Sequence, residues 1–213
     1  MIRLAIFDLD GTLVDSRLDL CLSVNHALRA LGQKERPVEE VSTFIGEGAV
    51  RLLERAVSPR LELTKPAVAL WQEHYEAHLL DHTVLYPGLE ELIRASPIPL
   101  AVITNKPGRM ARRILTGLGV GAHFVEVVGG DEAPRKPSPD GLRAILARQK
   151  VTSEKAVLVG DSLVDLATAQ AVPLPFLGVS WGLVHPDELA AQGAPVARTA
   201  DELARALGFA ASP

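Results

Sequence analysis

The sequence predicts an α/β protein: a doubly wound parallel sheet carrying an inserted segment of α-helices. Short apolar runs recur along the 213 residues and end in polar or glycine turns, the pattern of strands buried on both faces of a parallel sheet. Helical patterns separate those runs, so the strands join through βαβ units. One long interval, from Asp15 to Thr83, holds several helical patterns and no convincing strand, and reads as an insertion.

Taken in order, Leu4 to Leu9 forms the first strand and runs into Asp8-Leu9-Asp10-Gly11. Asp15 or Ser16 then caps a helix with Leu18, Leu22, Ala27 and Leu31 on one side, ending near Gly32. Further helices are expected at about Val38 to Phe44, Ala49 to Val57 and Pro66 to Leu80, the last with Thr64 as its cap. Tyr86-Pro87-Gly88 returns the chain to the sheet. The remaining strands are Leu100 to Thr104, Phe124 to Val128, Ala156 to Gly160 and Phe176 to Val179, with a helix over about Asp140 to Gln149. Residues 1–14 and 84–213 thus form the sheet domain, and residues 15–83 a helical cap domain.

Lysine and arginine total 22 against 26 aspartates and glutamates, a formal charge of −4. No basic surface is on offer to a nucleic-acid backbone, so nucleic acid is excluded as a partner. The single Cys21 forms no disulfide within the chain, and Asp8 and Asp10 interrupt the N-terminal apolar stretch before it could serve as a secretion signal. A cytoplasmic protein is expected. The uncharged stretch Leu166 to Val184 contains Pro173, Pro175, Gly178 and Gly182, which break a membrane helix. No coiled-coil heptads speak to oligomeric state.

Ligands of such sheets bind at the carboxyl ends of the strands, which directs attention to four segments. Asp8 and Asp10 stand two residues apart at the first strand end, where a hard cation such as Mg²⁺ would relieve their repulsion. Thr104-Asn105-Lys106 ends the second strand ahead of a helix, a place where hydroxyl, amide and backbone N–H groups can hold an anion. Lys136 precedes Pro137, which keeps it extended and fixes where its ammonium projects. Asp161 ends the fourth strand, with Asp165 one helical turn on. Singly, each has an ordinary alternative: a polar turn, a helix cap or an exposed lysine. Together they supply a nucleophile, an acid, a hydroxyl, a lysine and a metal-binding carboxylate.

FDLDGTLVDS, VITNKP, KPSP and VGDSLVD resemble, in order and spacing, the four motifs of the haloacid dehalogenase (HAD) superfamily, and the helical insertion resembles its cap. Within it, Phe44-Ile45-Gly46-Glu47-Gly48, His74-Tyr75 and Val128-Gly129-Gly130-Asp131 are similar to the bacterial phosphoglycolate phosphatases. One departure is Ala171-Val172-Pro173, where the family usually has Ala-Gly.

The resemblance implies an Mg²⁺-dependent phosphatase acting on a small phosphorylated metabolite, 2-phosphoglycolate foremost, through an aspartyl-phosphate. It makes Asp8 the nucleophile and Asp10 the acid and base, and it places Thr104, Asn105 and Lys136 on the phosphate. Asp8, Asp10 and Asp161 would hold the metal, with Asp165 orienting them, and Gly46, Glu47 and Gly48 are the cap's candidates for substrate contact. The alternatives are a sugar phosphomutase, which could use Arg51, Arg55 and Arg60, a phosphatase for a sugar phosphate, nucleotide or pyrophosphate, and a phosphoacceptor signalling domain. Four site carboxylates, Lys136 and one Mg²⁺ would leave a single negative charge in the site.

Overall fold

The computed structural model describes residues 1–183 and 186–209. In chain order the strands are β1 (Leu4–Phe7), β2 (Val14–Asp15), β3 (Val84–Leu85), β4 (Leu100–Ile103), β5 (Phe124–Val128), β6 (Ala156–Gly160), β7 (Phe176–Val179) and β8 (Val196–Ala197). The helices are α1 (Arg17–Ala30), α2 (Val38–Ser42), α3 (Ala49–Val57), α4 (Thr64–Ala77), α5 (Leu89–Arg94), α6 (Gly108–Gly117), α7 (Asp140–Gln149), α8 (Leu163–Gln170), α9 (Pro186–Ala191) and α10 (Ala200–Ala206). Six strands form one sheet in the order β5-β4-β1-β6-β7-β8, every pair parallel.

Strand β1 is buried on both faces, and alternate side chains feed two cores: Ala5 and Phe7 one, Leu4 and Ile6 the other. Helices α5, α6 and α10 cover the first face through Leu89, Ile114 and Leu203, while α7 and α8 cover the second through Leu142, Ile145 and Ala169. The chain leaves β1 for β4 on one side and later returns to β6 on the other. The crevice of this doubly wound sheet therefore opens at the carboxyl end of β1. The five strands expected from the apolar runs are all present. The two-residue β8 and the β2–β3 pair are too short to leave a period-two signature and were not anticipated.

The cap is built on α1 and α4. Ala67, Trp71 and Tyr75 recur every four residues along α4 and bury one stripe. On α1 the expected apolar side is corrected: Leu18 and Leu22 are 43% and 41% exposed, whereas Asp19 and Asn25 are buried. Distant partners make that burial tolerable. Asp19 accepts hydrogen bonds from the backbone N–H groups of His82 and Thr83 at 3.0 and 2.8 Å and from Thr83 Oγ1 at 2.7 Å. Asn25 exchanges two bonds with the Arg36 backbone.

The cap helices also begin differently from expectation. Ser16 precedes α1, but its hydroxyl donates to Asp10 Oδ1 at 2.5 Å instead of capping. Thr64 is the first residue of α4 rather than its cap. Both chain crossings between sheet and cap lie side by side in the antiparallel β2–β3 pair, Val14 opposite Leu85 and Asp15 opposite Val84. Among the described residues no helix is long and apolar enough to cross a membrane.

Candidate active site

Three neighbouring strands deliver the site. Asp8 follows β1, held by its N–H on Val159 O at 2.9 Å; Thr104 follows β4, its N–H on Val128 O at 3.0 Å; Asp161 follows β6. Lys136 comes from the loop between β5 and α7, with Nζ 2.6 Å from Asp165 Oδ1 and 2.7 Å from Asp8 Oδ1. Asp161 accepts from Thr12 Oγ1 at 2.9 Å and from the Leu183 N–H at 2.7 Å. Asp165 forms a capping box with Ser162 at the start of α8, so its second oxygen receives the Ser162 hydroxyl at 2.6 Å.

Two glycines make this crowding possible. Gly11 has φ +86°, and a Cβ there would lie 2.4 Å from Asp161 Oδ2. A Cβ on Gly160 would lie 2.5 Å from that of Asp165, so β6 must end in glycine for α8 to fold back over it.

Burial pushes the Asp8 carboxyl up to about 8, although Lys136 opposes the shift, and Asp165 and Asp161 add to it by repulsion. Burial and the neighbouring Asp165 charge raise Asp161 to about 6. Burial alone would lower the lysines. Asp165 and Asp8 outweigh it at Lys136, and Asp10 and Tyr75 outweigh it at Lys106, so both stay protonated well above the ordinary lysine value.

The site gathers four carboxyl groups, Asp8, Asp10, Asp161 and Asp165, around two buried ammoniums, Lys106 and Lys136. A divalent cation would offset the carboxylates that ionise. Oxygens of Asp8, Asp161 and Asp165 lie within 4.8 Å of one another, an all-oxygen set that suits Mg²⁺. Asp8 Oδ1 is buried and paired with Lys136 Nζ at 2.7 Å, and the carboxylate's remaining lone pairs are left for an electrophile.

Asp10 lies slightly apart from that cluster. Its Oδ1 receives Lys106 Nζ at 2.8 Å as well as Ser16 Oγ. Lys106 in turn donates to the Tyr75 hydroxyl at 2.8 Å, linking the core to the cap helix α4. Sequence reasoning named Lys106 and Tyr75 within longer motifs without giving either a role, and passed over Trp71. A signal existed for Lys106: it precedes Pro107 as Lys136 precedes Pro137, and the same restriction fixes both ammoniums.

Asn105 bridges the two domains. Its Nδ2 donates to Gly46 O and Lys136 O, and its Oδ1 accepts from the Lys136 N–H, so the amide is fully occupied in seating the cap loop and Lys136. Gly46 and Gly48 line the cavity between cap and core together with Leu20, Ile45, Leu52, Trp71 and the site residues. The Glu47 carboxylate instead pairs with Arg55. Arg51 and Arg60 pair with Glu54 and Glu62 on the outside, and none of the three arginines lines the cavity.

An aspartate pair, a buried acid cluster and a buried lysine meet at the switch point of a doubly wound sheet. Residues 5–179 match the haloacid dehalogenase-like hydrolase family, and the chain belongs to that family. It is 34% identical over 207 residues to a phosphoglycolate phosphatase of Photobacterium profundum, covering 92% of this chain and 90% of that one. It is 36% identical over 196 residues to that of Colwellia psychrerythraea, covering 86% and 87%. A crystal structure from Haemophilus somnus, described as a predicted phosphoglycolate phosphatase, superposes with a TM-score of 0.87 at 30% identity over 96% of this chain and 98% of that one. The chain is an enzyme of the phosphatase kind.

Proposed function

We propose that this enzyme hydrolyses 2-phosphoglycolate to glycolate and phosphate in an Mg²⁺-dependent reaction through an aspartyl-phosphate on Asp8. The observation that carries the reading is the buried Asp8 at the carboxyl end of β1, which lines the cavity and pairs with Lys136 Nζ at 2.7 Å. Its carboxylate attacks phosphorus. As the Asp8 O–P bond forms and the ester P–O bond breaks, Asp10 gives its proton to the departing alkoxide. Asp10 then takes a proton from water as the water oxygen attacks phosphorus, and the Asp8 O–P bond breaks to release phosphate.

Lys136 faces the transferring oxygens with a fixed positive charge, and Thr104, whose Oγ1 already accepts from the Lys106 N–H, keeps its own hydroxyl proton to donate to them. Asp8, Asp161 and the main chain at Asp10 would hold Mg²⁺, which would supply the remaining positive charge against the phosphoryl group. Asp165 orients Lys136 through its 2.6 Å contact. A cytoplasmic setting belongs to the same reading, in keeping with a buried and unbridged Cys21.

Turnover of 2-phosphoglycolate, hexose phosphates, nucleoside monophosphates and pyrophosphate, measured side by side, tests the assignment. The highest kcat/KM is expected for 2-phosphoglycolate. A higher value for any other member of the panel overturns the substrate, and absence of turnover with all of them overturns the phosphatase reading.

A further inference from the structure

The roof of the cavity is mostly apolar. Leu20, Ile45, Ala49 and Leu52 line it, and the cap's polar contribution there includes Trp71, whose ring is 3% exposed. The indole Nε1 is buried and has no hydrogen-bond partner in the protein, an arrangement that costs stability unless something else fills the role. Trp71 stacks on Tyr75 with ring centroids 4.9 Å apart, and Lys106 Nζ lies 4.7 Å from the Tyr75 ring centre. One aromatic residue thus positions both the unpartnered indole and a buried ammonium. Lys106 Nζ has three protons, of which Asp10 and Tyr75 take two.

Both groups only donate. Sugar or nucleoside hydroxyls would also need acceptors, whereas an ionised carboxylate accepts and never donates. We propose that the Trp71 indole N–H, assisted by the free Lys106 proton, binds the carboxylate of the substrate and so sets the preference for a small phosphorylated acid. This rests on the phosphatase reading above and adds to it the residue that reads the end remote from phosphorus. The apolar neighbours strengthen both contacts by excluding water.

The test compares 2-phosphoglycolate with ethyl phosphate, which has the same two carbons and no carboxylate, in wild type and in Trp71→Phe. Wild type is expected to favour 2-phosphoglycolate. Trp71→Phe should raise KM for 2-phosphoglycolate about ten- to a hundredfold while changing that for ethyl phosphate less than about threefold. Equal losses with both compounds, or no loss with either, overturn the role.

Because Phe leaves a gap in the cap, a second protein carries benzothienylalanine at position 71, which keeps the bicyclic shape and lacks the N–H; the other tryptophan, Trp181, is changed to Phe so that only position 71 takes the analogue, and Trp181→Phe alone is the reference. Binding of 2-phosphoglycolate to this protein in an Asp8→Asn background, read by calorimetry, should weaken by the same factor; unchanged affinity sinks the proposal. If wild type itself prefers ethyl phosphate, the substrate reading fails instead, and the carboxylate site fails with it. A preference for 2-phosphoglycolate that survives loss of the indole N–H leaves the substrate reading standing and removes Trp71 alone.

Discussion

The floor and the roof of the cavity are built on opposite principles. On the floor, charged groups lock one another in place: Lys136 spans Asp8 and Asp165, Asp161 is held by Thr12 and Leu183, and Asp165 is tied to Ser162. The roof offers side chains such as Leu20, Ile45, Leu52 and Trp71, which line the cavity without carrying charge. The difference teaches that reaction and selectivity are separable here. The sheet dictates where charge sits, and the cap dictates what fits beside it.

The sharpest way to break this contrast is to disable the floor alone. Asp8→Asn removes the nucleophile with little change in shape and should lower kcat by at least about a thousandfold. Its stability should match or exceed that of wild type, because a buried carboxyl that burial pushes up to about 8 gives way to a neutral amide. Retention of a tenth of the turnover would end Asp8's claim to the reaction. Chelation with excess EDTA comes next, with an expected loss on the order of a hundredfold or more, restored by Mg²⁺. Full activity after exhaustive chelation would mean that the acid cluster works without a cation.

Asp19 belongs to neither surface, and its loss should act on stability. Burial would raise its carboxyl, but bonds from Thr83 and His82 hold it below the ordinary aspartate value. A folded pKa below the unfolded one adds stability that is present above about pH 4 and is lost as pH falls through the folded value. Asp19→Asn should therefore cost about 2–3 kcal/mol at pH 7, lowering Tm by roughly 5–10 °C, with the gap to wild type closing under acid. Melting curves at pH 7 and pH 3 check this, and a pH-independent gap would refute it.

The smallest effect is expected at Glu47, whose carboxylate turns to Arg55. Glu47→Gln should change kcat/KM for 2-phosphoglycolate by less than about twofold. A tenfold change would draw Glu47 into the roof.

Asp8, Thr104 and Asp161 were legible in the sequence because each follows a strand end, and strand ends are visible in apolar runs, while Lys136, in the loop after β5, was marked by Pro137. Asp8, Thr104, Lys136 and Asp161 could be picked out singly and then joined by topology. The roof was not legible for the opposite reason. Helical periodicity marks Trp71 and Tyr75 as buried, but their facing Lys106 depends on how an inserted domain lies on the sheet, which no local pattern encodes.

Asn105 shows the same limit: the resemblance places it on the phosphate, and in the structure its amide hydrogen-bonds to Gly46 and Lys136. Likewise Leu18 and Leu22 looked like core and are exposed, because Asp19 and Asn25 found partners 64 and 11 positions away in Thr83 and Arg36.

The paired crossings at Val14–Asp15 and Val84–Leu85 have a consequence beyond this enzyme's own chemistry. Because the inserted segment departs and returns at one point, its length and contents are free of any requirement to span a gap. The entropy of closing that long excursion falls on the small ladder at its neck, and it grows only slowly with the number of residues enclosed. A lineage could lengthen, shorten or exchange the insertion while the sheet below remained undisturbed, and so acquire new substrates without reinventing the reaction.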